Sequence, residues 1–283
     1  MCKKIKTNRI WLFFFPSLIG MMVFFFLPMT LMIFYAFTDV RGTFVWLANF
    51  TDVITNMAFR LAAGNSFWFL SASVVLGVFL SFILSSSLQK LKHKKFLVIP
   101  FMLPLIIPSG PVVYFWNFIF ADNGAINSFL FQRGMDTVPW FTTDWSFVIV
   151  LVIFLARSVG FNMVLYLAGF QLIPKDYYEV AKIEGAGAFA TFRFVTFIYI
   201  LPTSFLVFMM SIINSFRVFR ETYLLFGPYP HNSVYMLQHF MNNQFLFANM
   251  QRLAVTATML SVFVIILVWG IFTGQRKISE SFS

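Results

Sequence analysis

Six apolar stretches organise the chain, at residues 11–37, 67–88, 96–120, 146–170, 194–216 and 253–273. A helix needs about 20 consecutive apolar residues to cross a hydrocarbon core of about 30 Å, and each stretch meets that length. The pattern therefore predicts an all-α integral membrane protein of about six spans. Between them lie segments of mixed character. Residues 44–63 predict an interfacial helix, with Asn65 capping the next span. Residues 121–145 hold Asp122, Asn123, Gly124 and Pro139 and read as turns. The longest connection, 217–252, is broken by Gly227, Pro228, Pro230, His231 and Asn232. Pro100, Pro104, Pro108 and Pro111 crowd the third stretch. Each removes a backbone donor, so that span is expected to bend and to pack inside protein.

Composition agrees with lipid as the solvent. Of 283 residues, 60% are hydrophobic and 11% charged, with a mean hydropathy of +0.83. A soluble domain carries about 25% charged residues, which this chain lacks. The first stretch follows Lys3, Lys4, Lys6 and Arg9, as a secretory signal would. It exceeds the apolar core of such signals and has no small-residue cleavage pattern, so it is read as an uncleaved first span.

The net charge is +10, and its distribution sets orientation. Thirteen basic residues fall on one side of the six-span arrangement: Lys3, Lys4, Lys6, Arg9, Lys90, Lys92, Lys94, Lys95, Lys175, Lys182, Arg193, Arg276 and Lys277. Six fall on the other: Arg41, Arg60, Arg133, Arg217, Arg220 and Arg252. The positive-inside bias then places both termini in the cytoplasm. With the basic residues at span ends and no separate basic domain, nucleic acid is not an expected partner.

Several chemistries find no residues to carry them. Cys2 is the single cysteine, and His93, His231 and His239 are scattered, so no metal site is expected. There is no Gly-x-x-x-x-Gly-Lys-Ser/Thr sequence to cradle ATP phosphates and no Gly-x-Ser-x-Gly elbow. Neither catalysis nor a cofactor is expected. All ten Asp and Glu residues fall outside the six stretches, Glu221 lying nearest, which argues against a carrier driven by protons. Arg157 is the one formal charge inside a stretch and needs a partner or an aqueous cavity. With Asn162 and Asn214 it marks a candidate translocation path. The competing reading pairs Arg157 with a neighbouring subunit and has the asparagines bridge helices.

Residues 171–194, QLIPKDYYEVAKIEGAGAFATFRF, resemble neither lipid-facing helix nor an ordinary turn. Pro174 stops the fourth span, and Asp176 with Glu179 has capping-box spacing, which predicts a helix opening near Tyr177. Gly185 and Gly187 interrupt it before a second short helix enters span five. Such a helix–turn–helix would expose Glu179, Lys182 and Glu184 beside the small residues Ala181 and Ala186.

On these residues the chain resembles the permeases of ATP-binding-cassette importers, which dock on their ATPase through such a loop. The matching positions are Glu179-Val180-Ala181 and Glu184-Gly185-Ala186-Gly187, preceded by Gly160-Phe161-Asn162-Met163, 165–169 and Ile173-Pro174. Pro16, Pro28, Phe37-Thr38-Asp39, Asn49-Phe50, 94–108 and 124–127 extend the similarity to the maltose-type first permease. Two positions depart from it: Val180 stands for the usual alanine, and Phe197-Ile198 for the usual Leu-Pro.

The resemblance implies one permease domain over 1–283, with a core at 66–275, a first span at 11–37 and a coupling loop at 171–194. It implies a bacterial plasma-membrane location, a dimer of ATPase subunits, a second homologous permease and an extracytoplasmic sugar-binding protein. The expected role is passage of a sugar or oligosaccharide. The alternative is a self-powered secondary transporter or channel for a small polar solute.

Overall fold

The computed structural model describes residues 7–89, 91 and 94–282, with side chains assigned for 14–89, 91 and 96–277. Cys2, His93 and five of the thirteen basic residues used for orientation (Lys3, Lys4, Lys6, Lys90 and Lys92) lie outside the described residues, as do the side chains of Arg9, Lys94 and Lys95.

The described chain is helical, with one isolated antiparallel bridge, Thr38 to Phe44. In order the helices are α1 Thr7–Met21, α2 Leu27–Phe37, α3 Ala48–Thr55, α4 Met57–Leu88, α5 Lys94–Ile106, α6 Ser109–Phe120 and α7 Ala125–Gln132. There follow α8 Trp145–Gln171, α9 Lys175–Ile183, α10 Ala188–Thr191, α11 Phe197–Arg217, α12 Phe219–Phe226, α13 Leu237–Leu246 and α14 Met250–Phe282. Wider π-helical turns join α1 to α2 at Met22–Phe26 and α10 to α11 at Phe192–Thr196.

Five helical runs are long and apolar enough to cross a membrane: Phe14–Phe37, Met57–Leu88, Trp145–Gln171, Ala188–Phe226 and Met250–Lys277. A sixth is reached only by counting a broken pair as one. Phe96–Ile106 and Ser109–Gln132 meet at 102°. The third stretch is thus not one continuous span, for a reason its prolines supply. Pro100 and Pro104 deprive the carbonyls of Phe96 and Pro100 of donors, and the residue before a proline avoids helical backbone. Ile107 leaves the helix before Pro108, whose extended backbone (φ −58°, ψ 155°) precedes α6. Pro111 falls in the first turn of α6, where no donor is missed. The expectation that this stretch packs inside protein is met on one side only. α5 lies against α8, yet Phe96, Ile99, Leu103 and Ile106 are exposed.

By contact the chain forms two compact units. The larger comprises Leu61–His239 and Ile265–Ser283. Its core is α8, which has more of its length buried than any other span. Phe69 of α4 meets Phe154 edge-on, and Phe82 meets Tyr166 the same way. Tyr166, Phe170, Ile200 and Val207 join α8 to α11. Small residues bring the backbones close, which lets van der Waals packing bind helices where lipid offers no hydrophobic drive. Ser81 Oγ donates to the Val159 carbonyl (3.2 Å), and a Cβ placed on Gly160 would collide with the Phe101 carbonyl of α5.

Beyond α12 the chain folds back over this core. Gly227 adopts φ +73°, which favours glycine, and ends the helix. Asn65 Nδ2 donates to the Tyr235 carbonyl (2.9 Å), and Ser66 Oγ accepts from the Leu237 N–H (2.8 Å). Asn65 therefore caps nothing: α4 begins eight residues earlier, where Asn56 Oδ1 accepts from the Phe59 N–H. Residues 121–145, expected as turns, include α7. They close around Asn127, which bonds both backbone groups of Val138 and the Trp140 indole.

The smaller unit comprises Met1–Arg60 and Phe240–Val264. No side chain of its Phe14–Phe37 run is buried apart from the end near Ala36, and the exposed residues are nearly all apolar, a surface suited to lipid. Of residues 44–63, where a helix was expected, 48–55 form α3. Asn49 Nδ2 donates to the Ala36 and Thr38 carbonyls (3.1 and 2.9 Å), satisfying groups left open at the end of α2. Arg252 forks onto Asp52 (2.7 and 3.1 Å), and that hydrogen bond holds the Asp52 carboxyl below its usual range.

Candidate functional site

Two places in the larger unit bring polar residues together. The first is a cavity of about 570 Å³ against α8 and the junction of α11 with α12. Arg157 on α8 and Asn214 on α11 both line it. Asn162, the third predicted member, is not among its lining residues. One and a half turns along α8 it is fully buried, and its Nδ2 donates to Ser211 Oγ across the helix pair (2.8 Å).

Arg157 finds its counter-charge within the chain. Its Nη1 pairs with Glu221 Oε1 of α12, and Ser109 Oγ at the start of α6 donates to the same oxygen (2.6 Å). Arg157 Nη1 also donates to Ser109 Oγ (3.1 Å). This corrects the reading that pairs Arg157 with a neighbouring subunit. It also corrects the placement of every acid outside the spans: Glu221 is 5% exposed and lies in the apolar run Ala188–Phe226. The cause is local. The helical run does not stop at the predicted limit: α11 ends at Arg217, Val218 keeps helical backbone (φ −63°, ψ −19°), and α12 follows at once. Because Ser109 lies just past the α5–α6 break, three separate segments meet at one carboxylate. A buried charge with both a partner and a hydrogen bond is the tolerated kind.

The sequence offered one hint of this cluster, since an unpaired Arg157 in a span demands a partner and Glu221 was the acid nearest to a span. Ser109 gave none, because its role depends on the helix break. Ser158 was missed as well. It lines the cavity, is 4% exposed, and its hydroxyl has no partner.

His239, on α13, is buried without contributing to the cavity. Its Nδ1 accepts from the Met236 N–H (3.3 Å) and its ring stands edge-on to Phe219 (4.9 Å). Burial lowers its pKa from 6.5 to about 4. The folded form therefore binds fewer protons than the unfolded form between those values, and stability falls as pH drops from about 6.5 towards 4. The full loss is about 3 kcal/mol, from 1.36 kcal/mol per pKa unit. Thermal melting in detergent at pH 7.5 and 5 should show about 2 kcal/mol of this loss, and His239→Leu should flatten it. An unchanged slope in that variant would place the sensitivity elsewhere.

The second place is the segment after α8. Pro174 ends the preceding turn and α9 runs over Lys175–Ile183, two residues earlier than predicted and without a side-chain cap. The Asp176–Glu179 capping box does not form, because the residue before the helix is Pro174 and Asp176 is already inside its first turn. Gly185 turns the chain with φ +72°, Gly187 precedes α10 with extended backbone, and α10 leads through the π turn into α11. Glu179, Glu184, Gly185 and Gly187 are exposed and Ala186 is half-buried. Ala181 was expected on the outer surface, but it is buried, and its carbonyl accepts from the Ala186 N–H (2.9 Å) to fasten the turn. What projects instead is apolar: Ile183 is 84% exposed and Phe189 78%.

Among the described residues no cluster of His, Cys, Asp and Glu has the arrangement of a metal site. The profile of the family described as binding-protein-dependent transport system inner membrane component matches residues 73–275. The probable starch degradation products transport system permease protein AmyD of Thermoanaerobacterium thermosulfurigenes is 30% identical over 257 residues, covering 84% of each chain. The multiple sugar-binding transport system permease protein MsmF of Streptococcus mutans is 29% identical over 285 residues, covering 96% of this chain and 95% of the relative. The arabinooligosaccharides transport system permease protein AraP of Bacillus subtilis is 29% identical over 230 residues, 78% of this chain and 72% of the relative. In fold, the chain matches a crystal structure of a bacterial ABC transporter involved in the import of the acidic polysaccharide alginate. The TM-score is 0.84 at 20% identity, with 96% and 97% of the two chains covered. A match spanning most of the chain, and including the Arg157 cavity and the α9–α10 turn, makes this multi-pass membrane protein a member of the binding-protein-dependent transport system inner membrane components.

Proposed function

We propose that the chain is one of two permeases in an ATP-binding-cassette importer of the bacterial plasma membrane, passing a sugar or oligosaccharide delivered by an extracytoplasmic binding protein. The observation that carries this reading is the family match over 73–275, joined to an exposed turn within it that a self-powered carrier has no use for. The sugar follows from the relatives, whose names refer to arabino-oligosaccharides, starch products and multiple sugars. In this reading 1–283 is a single permease domain with both termini in the cytoplasm.

α9 is the coupling helix. An ATPase subunit receives Ile183 and Phe189 in an apolar groove, while Glu179 and Glu184 meet its basic side chains. Closure of the ATPase dimer on ATP moves α9, and α10 passes that movement through the continuous α10–α11 run to Asn214 at the cavity. The exposed side of α5 faces the second permease. Arg157, Asn214 and the cavity they line form this chain's share of the path, and Asn162 fixes the α8–α11 distance beside it. Glu221 lends no support to a proton-driven carrier, because its carboxylate is engaged by both Arg157 and Ser109.

Affinity purification from gently solubilised native membranes, with subunits identified by mass spectrometry, tests the reading. An ATPase and a second six-span protein are the expected companions. Recovery of the chain alone or as a homo-oligomer would overturn it in favour of a self-powered carrier.

A further inference from the structure

The charges lining the cavity do not balance. Arg157, Arg217, Arg220 and Glu221 all face it, so three guanidinium groups stand against one carboxylate. Glu221 is already committed to Arg157. Arg217 and Arg220 are exposed, and neither pairs with a carboxylate among the described residues. They are three residues apart across the α11–α12 junction, which sets both side chains on one helical face. Deeper in, the Ser158 hydroxyl is buried, has no partner and also lines the cavity. Asn214 lines the same cavity, with an amide able to donate and accept.

We infer that this cavity selects an anionic, carboxylate-bearing saccharide over a neutral one, with Arg217 and Arg220 holding the carboxylate and Ser158 and Asn214 the hydroxyls. The inference rests on the importer reading and adds the substrate's charge to it. A guanidinium presents two parallel N–H donors that fit a carboxylate in a planar fork, a geometry that sugar hydroxyls do not match. A cleft with low-dielectric walls also focuses the field of two uncompensated charges, which raises the local concentration of an anion and not that of a neutral sugar. The Arg157–Glu221 pair is neutral in sum, so it lines the cavity without cancelling that field. A volume of about 570 Å³ lies within the size range of small-molecule sites.

The test uses the whole purified complex with its binding protein, reconstituted in proteoliposomes. Uptake is measured with labelled trigalacturonate and trimannuronate as acidic probes and maltotriose and xylotriose as neutral ones. Uptake of an acidic probe is expected, weakened by added salt, with the neutral pair at background. R217Q/R220Q should lower acidic uptake by at least tenfold, since a charge-assisted hydrogen bond contributes about 1.5–3 kcal/mol. Loss confined to the acidic probe, with subunit composition unchanged, supports the inference. Uptake of a neutral probe, uptake of none of the four, or a double variant as active as the parent overturns it. So does release of the second permease by the double variant, which would make the two arginines interface residues. In all of those cases a complex that still hydrolyses ATP on addition of its binding protein leaves the importer reading standing. Absence of an ATPase from the preparation would remove that reading itself.

Discussion

Replacing Glu221 with leucine is expected to lower stability by about 3–5 kcal/mol, the cost of breaking a buried ion pair and stranding the other charge. The lower end applies, because Arg157 keeps a quarter of its side chain exposed to the cavity and can recruit water. Unfolding in detergent, followed by thermal melting of the purified complex, measures the change. The stronger check is the double variant Arg157→Leu with Glu221→Leu. Replacing both charges by apolar groups removes the stranded arginine, so most of the lost stability should return. If the double variant is as unstable as the single one, the damage lies in packing around Ser109 and not in charge. The cluster also predicts where the single variant loosens. Ser109 anchors the start of α6, so hydrogen exchange should rise first at 107–112.

Charge reversal on α9 should act on transport and leave the fold alone. Glu179 is exposed and makes no hydrogen bond or ion pair among the described residues, so Glu179→Lys breaks nothing within the chain. In the proposed complex it places like charges together at the ATPase surface, at a cost of several kcal/mol. Uptake into membrane vesicles is expected to fall by at least tenfold, while expression and melting temperature stay at the parent values. ATP hydrolysis distinguishes two forms of failure. Hydrolysis that persists without uptake means the subunits still dock but no longer transmit movement; loss of the ATPase from the purified complex means they no longer dock. Normal uptake would remove Glu179 from the coupling surface.

How much of this was legible in the sequence differs by element. The apolar runs were, because hydrophobic length alone defines a candidate span, and α4, α8 and α14 follow it to within about one to three turns. The α9–α10 turn was legible in outline from Pro174, Gly185 and Gly187. Its polarity of presentation was not. Ala181 reads as surface beside three charged residues, but helix periodicity turns it inward and leaves Ile183 at the tip. The third stretch was read as a bent span because four prolines require one; that they break it through 102° depends on Ile107 leaving the helix and Pro108 adopting extended backbone. The Arg157–Glu221–Ser109 cluster lay furthest from view. Its members are separated by 48 and 64 residues, and no local rule pairs residues across such distances. Asn65 failed for the opposite reason: a good capping residue does not cap when the helix begins earlier at another.

The π turn at Phe192–Thr196 has a consequence for the direction in which α9 points. A π turn holds one more residue than the α-helical turn it replaces, closing on the Phe197 N–H to the Phe192 carbonyl. Deleting a single residue there would restore ordinary winding while still completing one turn, so everything before it would keep its azimuth about the axis of α11. A residue lost from plain α-helix would instead swing that segment by about 100°. The direction in which Ile183 and Phe189 face is thus buffered at this turn against the loss of one codon.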